Sequence, residues 1–535
     1  MKSARTYGDA AKGLDVEKEL RALRGPGGEL NAALICCGRH AHDEDRVALR
    51  YRNLDGEDSI WTFAEFERHS IRLAHFLAAL GVGKGDCVAV MLPRTPELII
   101  AALAVWRLGA VYQPLFTAFG PTAVEYRVQR AGTRVVITDK ENRAKIKADL
   151  DVAVVTANPR PGDHDFWADS APDIPRSSVA DCSLDDAFLL MFTSGTTGAP
   201  KPLFVPIRAI AAFKRYMLDG IGLTPNDRFW NLADPGWAYG LYYAVVGPLA
   251  LGIATTFHNA PFSPAASYEV IRHFGITSLA GSPTAFRLMI GAGAGAAAAA
   301  RGQLRAVSSA GEPLNPEIAR WFAANLEVDV RDHYGQTELG MVLCDHHGLE
   351  HPARTALPAP GYHVAVLDER REESDIGEPG MLAIDRSRSP FFWFAGYLGA
   401  DAFEDEWYFT GDLCERSRDG AISFVGRSDD VITTSGYRVG PFDVESVLLE
   451  HEAVLESAVV GRPDAERTEV IKAFVVLGEG YAAGPALVDQ LQQHVRSRLS
   501  KHAYPREIEF VASLPKTPSG KVQRFLLRDR PRDVP

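Results

Sequence analysis

The sequence predicts an α/β protein: a large N-terminal domain of βαβ-type subdomains with a small β subdomain, then a small α+β C-terminal domain. Three observations predict it. From residue 86, β-rich runs alternate with helical runs that open on Pro and close on Gly. After residue 355, helical spacing gives way to short strands separated by turn signals. From about residue 429 a new pattern of helices and strands begins, long enough for its own core. The expected boundaries are 1–428 and 429–535, with 355–428 as the small β subdomain.

Residues 86–92 form the first strand of the alternating pattern. Residues 96–109 begin with Pro96, end with Gly109 and carry apolar residues at helical spacing. A strand is expected at 111–115, a helix at 121–132 and a strand at 133–139, the rhythm of parallel strands under helices. The rhythm resumes with helix 208–222, strand 227–233, helix 263–275, strands 276–280 and 304–308, and helix 315–326. The Gly/Ala tract 291–301 reads as a loop leading into a short surface helix, because its glycines weaken the helix its alanines favour. Short strands follow at 363–368, 380–384 and 407–411, and at 421–425 after the turn signal Arg418-Asp419-Gly420. The last module reads as helix 444–451, strands 455–461 and 472–477, helix 485–500 and strand 507–511. The apolar run 98–106 is far short of the roughly 20 residues of a membrane span, and glycine and proline interrupt 241–257, so both read as buried core.

Composition narrows the function classes. The 535 residues carry 57 Lys+Arg against 69 Asp+Glu, a formal charge of −12. That balance argues against a general nucleic-acid or anionic-membrane partner. The six cysteines form no CxxC, which argues against structural zinc and suits a reducing compartment. With no apolar signal core near residue 1, a cytoplasmic location is expected. Monomer and homodimer both remain open.

The apolar run 187–192 leads into Thr193-Ser194-Gly195-Thr196-Thr197-Gly198-Ala199-Pro200-Lys201. Hydroxyls and glycines let backbone N–H groups wrap phosphate oxygens closely, and Lys201 adds positive charge. Further along stand Tyr334-Gly335-Gln336-Thr337-Glu338, Tyr408-Phe409-Thr410-Gly411-Asp412, Gly426-Arg427-Ser428-Asp429-Asp430-Val431-Ile432 and Pro515-Lys516-Thr517-Pro518-Ser519-Gly520-Lys521. In this order the strings resemble the signature motifs of the adenylate-forming enzymes: acyl-CoA synthetases, luciferases and the adenylation domains of peptide synthetases.

The resemblance implies two steps. A carboxylate attacks the α-phosphate of ATP and releases pyrophosphate, and a thiol then attacks the acyl-adenylate. It implies that Lys521 bridges ATP and the incoming carboxylate, where preorganised donors stabilise developing charge. Thr337 is similar to the residue contacting the α-phosphate, and Glu338 to the carboxylate associated with Mg²⁺, a cation that favours oxygen ligands. Asp412 offers acceptors for the ribose hydroxyls, and Arg427 a fork of donors for ribose or phosphate. By the same likeness Gly311, Glu312 and Pro313 line the adenine face. Asp332 lies near the adenine amino group and Tyr334 against the ring, with His333, Gly335 and Gln336 in the same nucleotide-binding string.

Asp429 resembles the hinge about which a mobile C-terminal domain rotates between the half-reactions. Ser435, Gly436, Tyr437 and Arg438 resemble the CoA side, where a glycine lets pantetheine pass close to the backbone. Acetylation of Lys521 would remove its charge.

Within the family the chain resembles the acetyl-CoA and medium-chain acyl-CoA synthetase branch. Acetate enzymes carry a Trp where this chain has Gly335, and that Trp closes their acyl pocket. Its absence implies a longer acid, each buried CH₂ of which is worth roughly 0.8 kcal/mol. Trp237, Ala238, Tyr239, Ala310 and Gly335 are the pocket candidates. Medium-chain or branched aliphatic acids lead, and aryl acids such as benzoates are the alternative. An enzyme that loads a carrier protein and a non-catalytic binding protein are further alternatives.

Overall fold

The computed structural model describes residues 12–167, 179–193, 200–346, 355–400, 405–434, 437–464, 467–478, 480–499, 503–516 and 522–528. A seven-stranded sheet carries the first βαβ rhythm. Strand Cys87–Met91 pairs in parallel with Val111–Pro114 on one side and Val135–Thr138 on the other. The crossovers are helices Pro96–Arg107 and Pro121–Ala131, both started by proline at the first turn. At the far edge Ala187–Thr193 turns back on Lys201–Pro206 as an antiparallel hairpin.

One buried ion pair fixes the first layer. Helix Phe63–Ala79 begins with a capping box in which Thr62 accepts from the Glu65 N–H and Glu65 accepts from the Thr62 N–H. Its Glu67 meets Arg107 at 2.5 Å, the side chains only 5% and 1% exposed. The Trp106 indole donates to the Phe188 carbonyl at 2.9 Å, so the same helix is also tied to the sheet strand that leads to residue 193.

A ten-stranded sheet forms the second layer. Strands Phe229–Asn231, Ser278–Gly281, Ala306–Ala310 and Val330–Gln336 run parallel, and Gly340–Cys344 turns back antiparallel. The short strands after residue 355 extend this sheet edge to edge, through Thr355–Pro358 and Ile422–Arg427. The strand read as 407–411 runs on as Trp407–Arg416. The Gly/Ala tract is helical over Gly293–Ala297 and Ala298–Ala300. It is not a free surface element, because Ala297 and Ala300 are wholly buried against Phe286 and Phe322 in a second core.

The C-terminal sheet is built on the long antiparallel pair Val454–Asp464 and Thr468–Leu477, with helices Pro441–Leu449 and Pro485–Arg498 closing a core around Val444, Ile471, Val475 and Leu491. Glu445 accepts from Arg524 at 2.8 Å, and Asp430 pairs with both Arg524 and Arg528. The runs 98–106 and 241–257 are buried core as expected, except for the half-buried Leu251. Among the described residues no helix is long and apolar enough to cross a membrane.

Removing one partner of a buried ion pair strands the other charge and typically costs about 3–5 kcal/mol. Arg107→Ala is therefore expected to lower the urea unfolding midpoint sharply. Replacing Glu67 and Arg107 together by apolar residues should restore much of the loss. Equal loss in the single and double variants would contradict the pairing.

Candidate active site

The phosphate-loop candidates Ser194, Gly195, Thr196, Thr197 and Gly198 lie outside the described residues, but both ends of the loop are defined. Thr193 and Lys201 face each other across the hairpin, and the Thr193 hydroxyl donates to the Lys201 carbonyl at 3.4 Å. The Lys201 ammonium stands 5.2 Å from the Tyr397 ring centre, a cation–π distance. The Tyr397 hydroxyl donates to Glu338 at 2.6 Å, and the chain next to it is clamped by Leu398 N–H on the Pro202 carbonyl. Tyr397 thus joins the hairpin to the Glu338 carboxylate. It stood in none of the motifs, and the aromatic run Phe394-Ala395-Gly396-Tyr397 was the available signal.

Thr337 and Glu338 occupy the turn between strands Val330–Gln336 and Gly340–Cys344. Tyr242, stacked on Phe213 at 4.4 Å, pins that turn by donating to the Thr337 carbonyl at 3.0 Å. Glu338 is buried, so its carboxylate is aimed and not free to sample solvent. Among the described residues no group of three or more side chains could hold a metal alone. A single oriented carboxylate still suits Mg²⁺, which keeps most of its waters and shares substrate phosphates.

Asp412 is the centre of the densest polar network. Antiparallel pairing sets it opposite Arg427, whose guanidinium reaches one carboxylate oxygen at 3.2 Å. The other oxygen accepts from the Tyr334 hydroxyl and from the Gln336 amide, the latter at 3.0 Å. Tyr408 completes the ring by donating to Gln336 at 3.0 Å. Burial pushes the Asp412 carboxyl above its ordinary range, while Tyr334, Arg427 and Gln336 pull it back. Burial disfavours charge on Arg427 as well, but Asp412 and Asp429 outweigh it and raise the guanidinium further. Arg427 also reaches Asp429 at 3.3 Å, so one side chain holds both the ribose candidate and the hinge candidate.

Gly311 has a left-handed φ of 96°, with open space where a side chain would stand. That turn carries Glu312 and Pro313 out to the end of helix Pro283–Gly291, where the Thr284 hydroxyl donates to Glu312 at 2.7 Å. Asp332 accepts from the Leu314 N–H at 3.3 Å and so closes the loop against strand Val330–Gln336. Strand alternation then divides the neighbouring residues. Asp332 and Tyr334 share a face with the loop and Asp412, whereas His333 turns to the opposite face. There it sits beside Ala310 in register and edge-on to Tyr216 at 5.3 Å. The structure therefore sets His333 on the strand face away from Asp332 and Tyr334.

The pocket candidates fall in two packing clusters. Trp237 packs on Phe116 and Phe119, both at 5.6 Å. Tyr239 leans on Tyr243 at 5.8 Å, Ala310 is fully buried, and Ala238 packs beside them at the start of the helical run toward residue 250. Gly335 is a point of close backbone approach. A Cβ there would stand 2.2 Å from the Gly340 carbonyl oxygen and 2.8 Å from the Met341 sulfur. Lys521, Ser435 and Gly436 lie outside the described residues. Only the backbone of Tyr437 and Arg438 is described, as a strand paired with Ile432–Thr434. Arg524, just after the Lys521 motif, interacts electrostatically with Glu312.

A buried carboxylate at Asp412 bound by three side chains, a hairpin end flanked by Lys201, and clustered aromatic side chains stand at the positions of the adenylate-forming motifs. The family model described as AMP-binding enzyme matches residues 39–398, and the AMP-binding enzyme C-terminal domain matches 443–521. An acetyl-coenzyme A synthetase of Bacillus subtilis (strain 168) is 36% identical over 522 residues, 94% of this chain and 90% of its own. The crystal structure of Brucella canis acyl-CoA synthetase is 51% identical with a TM-score of 0.77, covering 98% of both chains. A benzoate CoA ligase from Burkholderia xenovorans LB400 is 28% identical with a TM-score of 0.81, covering 94% of this chain and all of that one. The chain belongs to the AMP-binding enzyme family.

Burial gives the site region a pH signature. It pushes His333 down to about 3 and His346 to about 4, and does the same to His40 at about 4, all from an ordinary 6.5. The folded chain resists protons that the unfolded chain accepts. This stability is complete above pH 6.5 and is lost as pH falls toward 4 and then 3. Each histidine contributes a slope of up to about 1.4 kcal/mol per pH unit in that window. The urea midpoint should fall between pH 7 and pH 5, and His333→Gln should flatten the decline; a midpoint unchanged across that range would refute the assignment.

Proposed function

We propose that this chain is an AMP-forming acid–CoA ligase acting on a carboxylic acid larger than acetate. The carboxylate attacks the α-phosphate of ATP, forming an acyl–phosphate anhydride as pyrophosphate leaves. The CoA sulfur then attacks the acyl carbon, forming the thioester as AMP leaves. Asp412, held by Arg427, Tyr334 and Gln336, presents acceptors to the ribose, at the cost of sharing them with these partners. Gly311, Glu312, Pro313 and Asp332 flank the adenine. Glu338, fixed by Tyr397, supplies the carboxylate beside which Mg²⁺ offsets triphosphate charge. Lys521 donates to the carboxylate and the α-phosphate. Gly436 and its neighbours form the thiol entry, and Asp429 is the joint about which the C-terminal domain turns.

The observation that carries the size of the acid is Gly335, where the backbone of strand Gly340–Cys344 comes so close that no side chain closes the pocket from this position. Aromatic walls at Trp237, Tyr239 and Tyr243 favour the aryl alternative over a flexible alkyl chain, because rings pack edge and face against rings. The benzoate ligase likeness supports the same ranking.

Pyrophosphate release over a panel of C2–C12, branched and aromatic acids tests this reading. Aromatic acids should show the highest kcat/KM and acetate among the lowest; a maximum at acetate would overturn it. Lys521→Ala should reduce acid-dependent pyrophosphate exchange by at least about 10²-fold. It should spare thioester formation from supplied acyl-adenylate. Equal loss in both half-reactions would remove Lys521 from the adenylation step.

A further inference from the structure

A cluster of buried polar side-chain tips without ordinary partners lies among the acyl-pocket candidates. His333 is 3% exposed, and among the described residues neither ring nitrogen has a hydrogen-bond partner. Its ring stands edge-on to Tyr216, whose hydroxyl faces that of Tyr239. Beyond each other, these two hydroxyls have no partner among the described residues either. Tyr239 is itself one of the pocket candidates. His333 is the register partner of Ala310, and Met341, which abuts Gly335, lines one small cavity with Tyr216.

Folded proteins leave few buried polar groups unpaired, and such groups call for an explanation. Here they gather at two of the acyl-pocket candidates, Tyr239 and, in register with His333, Ala310. The geometry points to an acid whose end remote from the carboxylate carries an uncharged hydrogen-bonding group, a hydroxyl or an amine, received by His333 with Tyr216 and Tyr239. This rests on the acid–CoA ligase reading above and deepens it.

The chemistry fits a neutral polar group. Burial keeps the His333 imidazole neutral, so one nitrogen donates and the other accepts, as a hydroxyl or amine requires. A second carboxylate would want a cation, but Arg331, which acts electrostatically on His333, is already tied to Asp345. A plain alkyl or aryl end would leave the imidazole and both hydroxyls as they are. Sites built to hydrogen-bond a substrate hydroxyl discriminate strongly against the analogue that lacks it.

The test compares matched acids on the full chain with ATP and CoA: benzoate with 3- and 4-hydroxybenzoate and 3- and 4-aminobenzoate, and hexanoate with 6-hydroxyhexanoate. Within at least one pair the substituted acid should have a kcat/KM at least about tenfold higher. The substituted-to-plain ratio should collapse toward one in Tyr239→Phe, which removes a single oxygen, and in His333→Leu. Plain acids used as well as their substituted partners would overturn the inference alone, as would a preference that survives in Tyr239→Phe and a soluble His333→Leu. If His333→Leu does not fold, Tyr239→Phe decides. Absence of pyrophosphate and thioester from every acid would instead overturn the ligase reading and this inference with it.

Discussion

One strand, Val330–Gln336, is the constraint on which the site depends. It is held in parallel by Ala306–Ala310 and antiparallel by Gly340–Cys344, so it cannot slide or rotate. Its alternation puts Asp332 and Tyr334 on one face and His333 on the other. Its end delivers Gln336 to Asp412, and the following turn delivers Thr337 and Glu338. A carboxylate and an α-phosphate meet productively only when their binding groups keep a fixed separation. A single backbone that carries both sets supplies that separation directly.

Around this strand the polar groups are held by mutual restraint. Asp412 has its oxygens divided among Arg427, Tyr334 and Gln336, and Glu338 is aimed by Tyr397. Such networks cost desolvation, which shows in the raised Asp412 carboxyl. They give back preorganisation, since donors and acceptors that are already oriented need not rearrange as charge develops. Glu67 and Arg107 serve the fold in the same manner, joining two helices beneath the sheet that presents the hairpin.

Much of the architecture was legible because proline and glycine punctuate it. Helix Pro264–Phe274 begins and ends where Pro264 and Gly275 say it should, and Pro121–Ala131 stops at Gly132. The same signals misled at Gly411, which reads as a strand end but lies within Trp407–Arg416. The Gly/Ala tract misled because alanine carries no record of whether its face is buried. Joining the strands after residue 355 to the larger sheet depends on nonlocal pairing, for which local periodicity gives no signal. The nucleotide-site candidates were readable as contiguous motifs. The contiguity does not reveal that His333 faces away from Asp332 and Tyr334, since neighbours in a strand face opposite ways. Tyr397 escaped because its role comes from spatial partners scattered along the chain at 193, 201 and 338.

The close approach at Gly335 bears on how this pocket can change over evolutionary time. Any side chain there meets the backbone oxygen of Gly340 before it meets substrate. The position is therefore closed to gradual enlargement, and a bulky residue would have to arrive together with a shift of the neighbouring strand. Met341, Tyr239 and His333 carry side chains that can be exchanged one at a time. Substitution at those three positions does not require the neighbouring strand to move, whereas substitution at the glycine does.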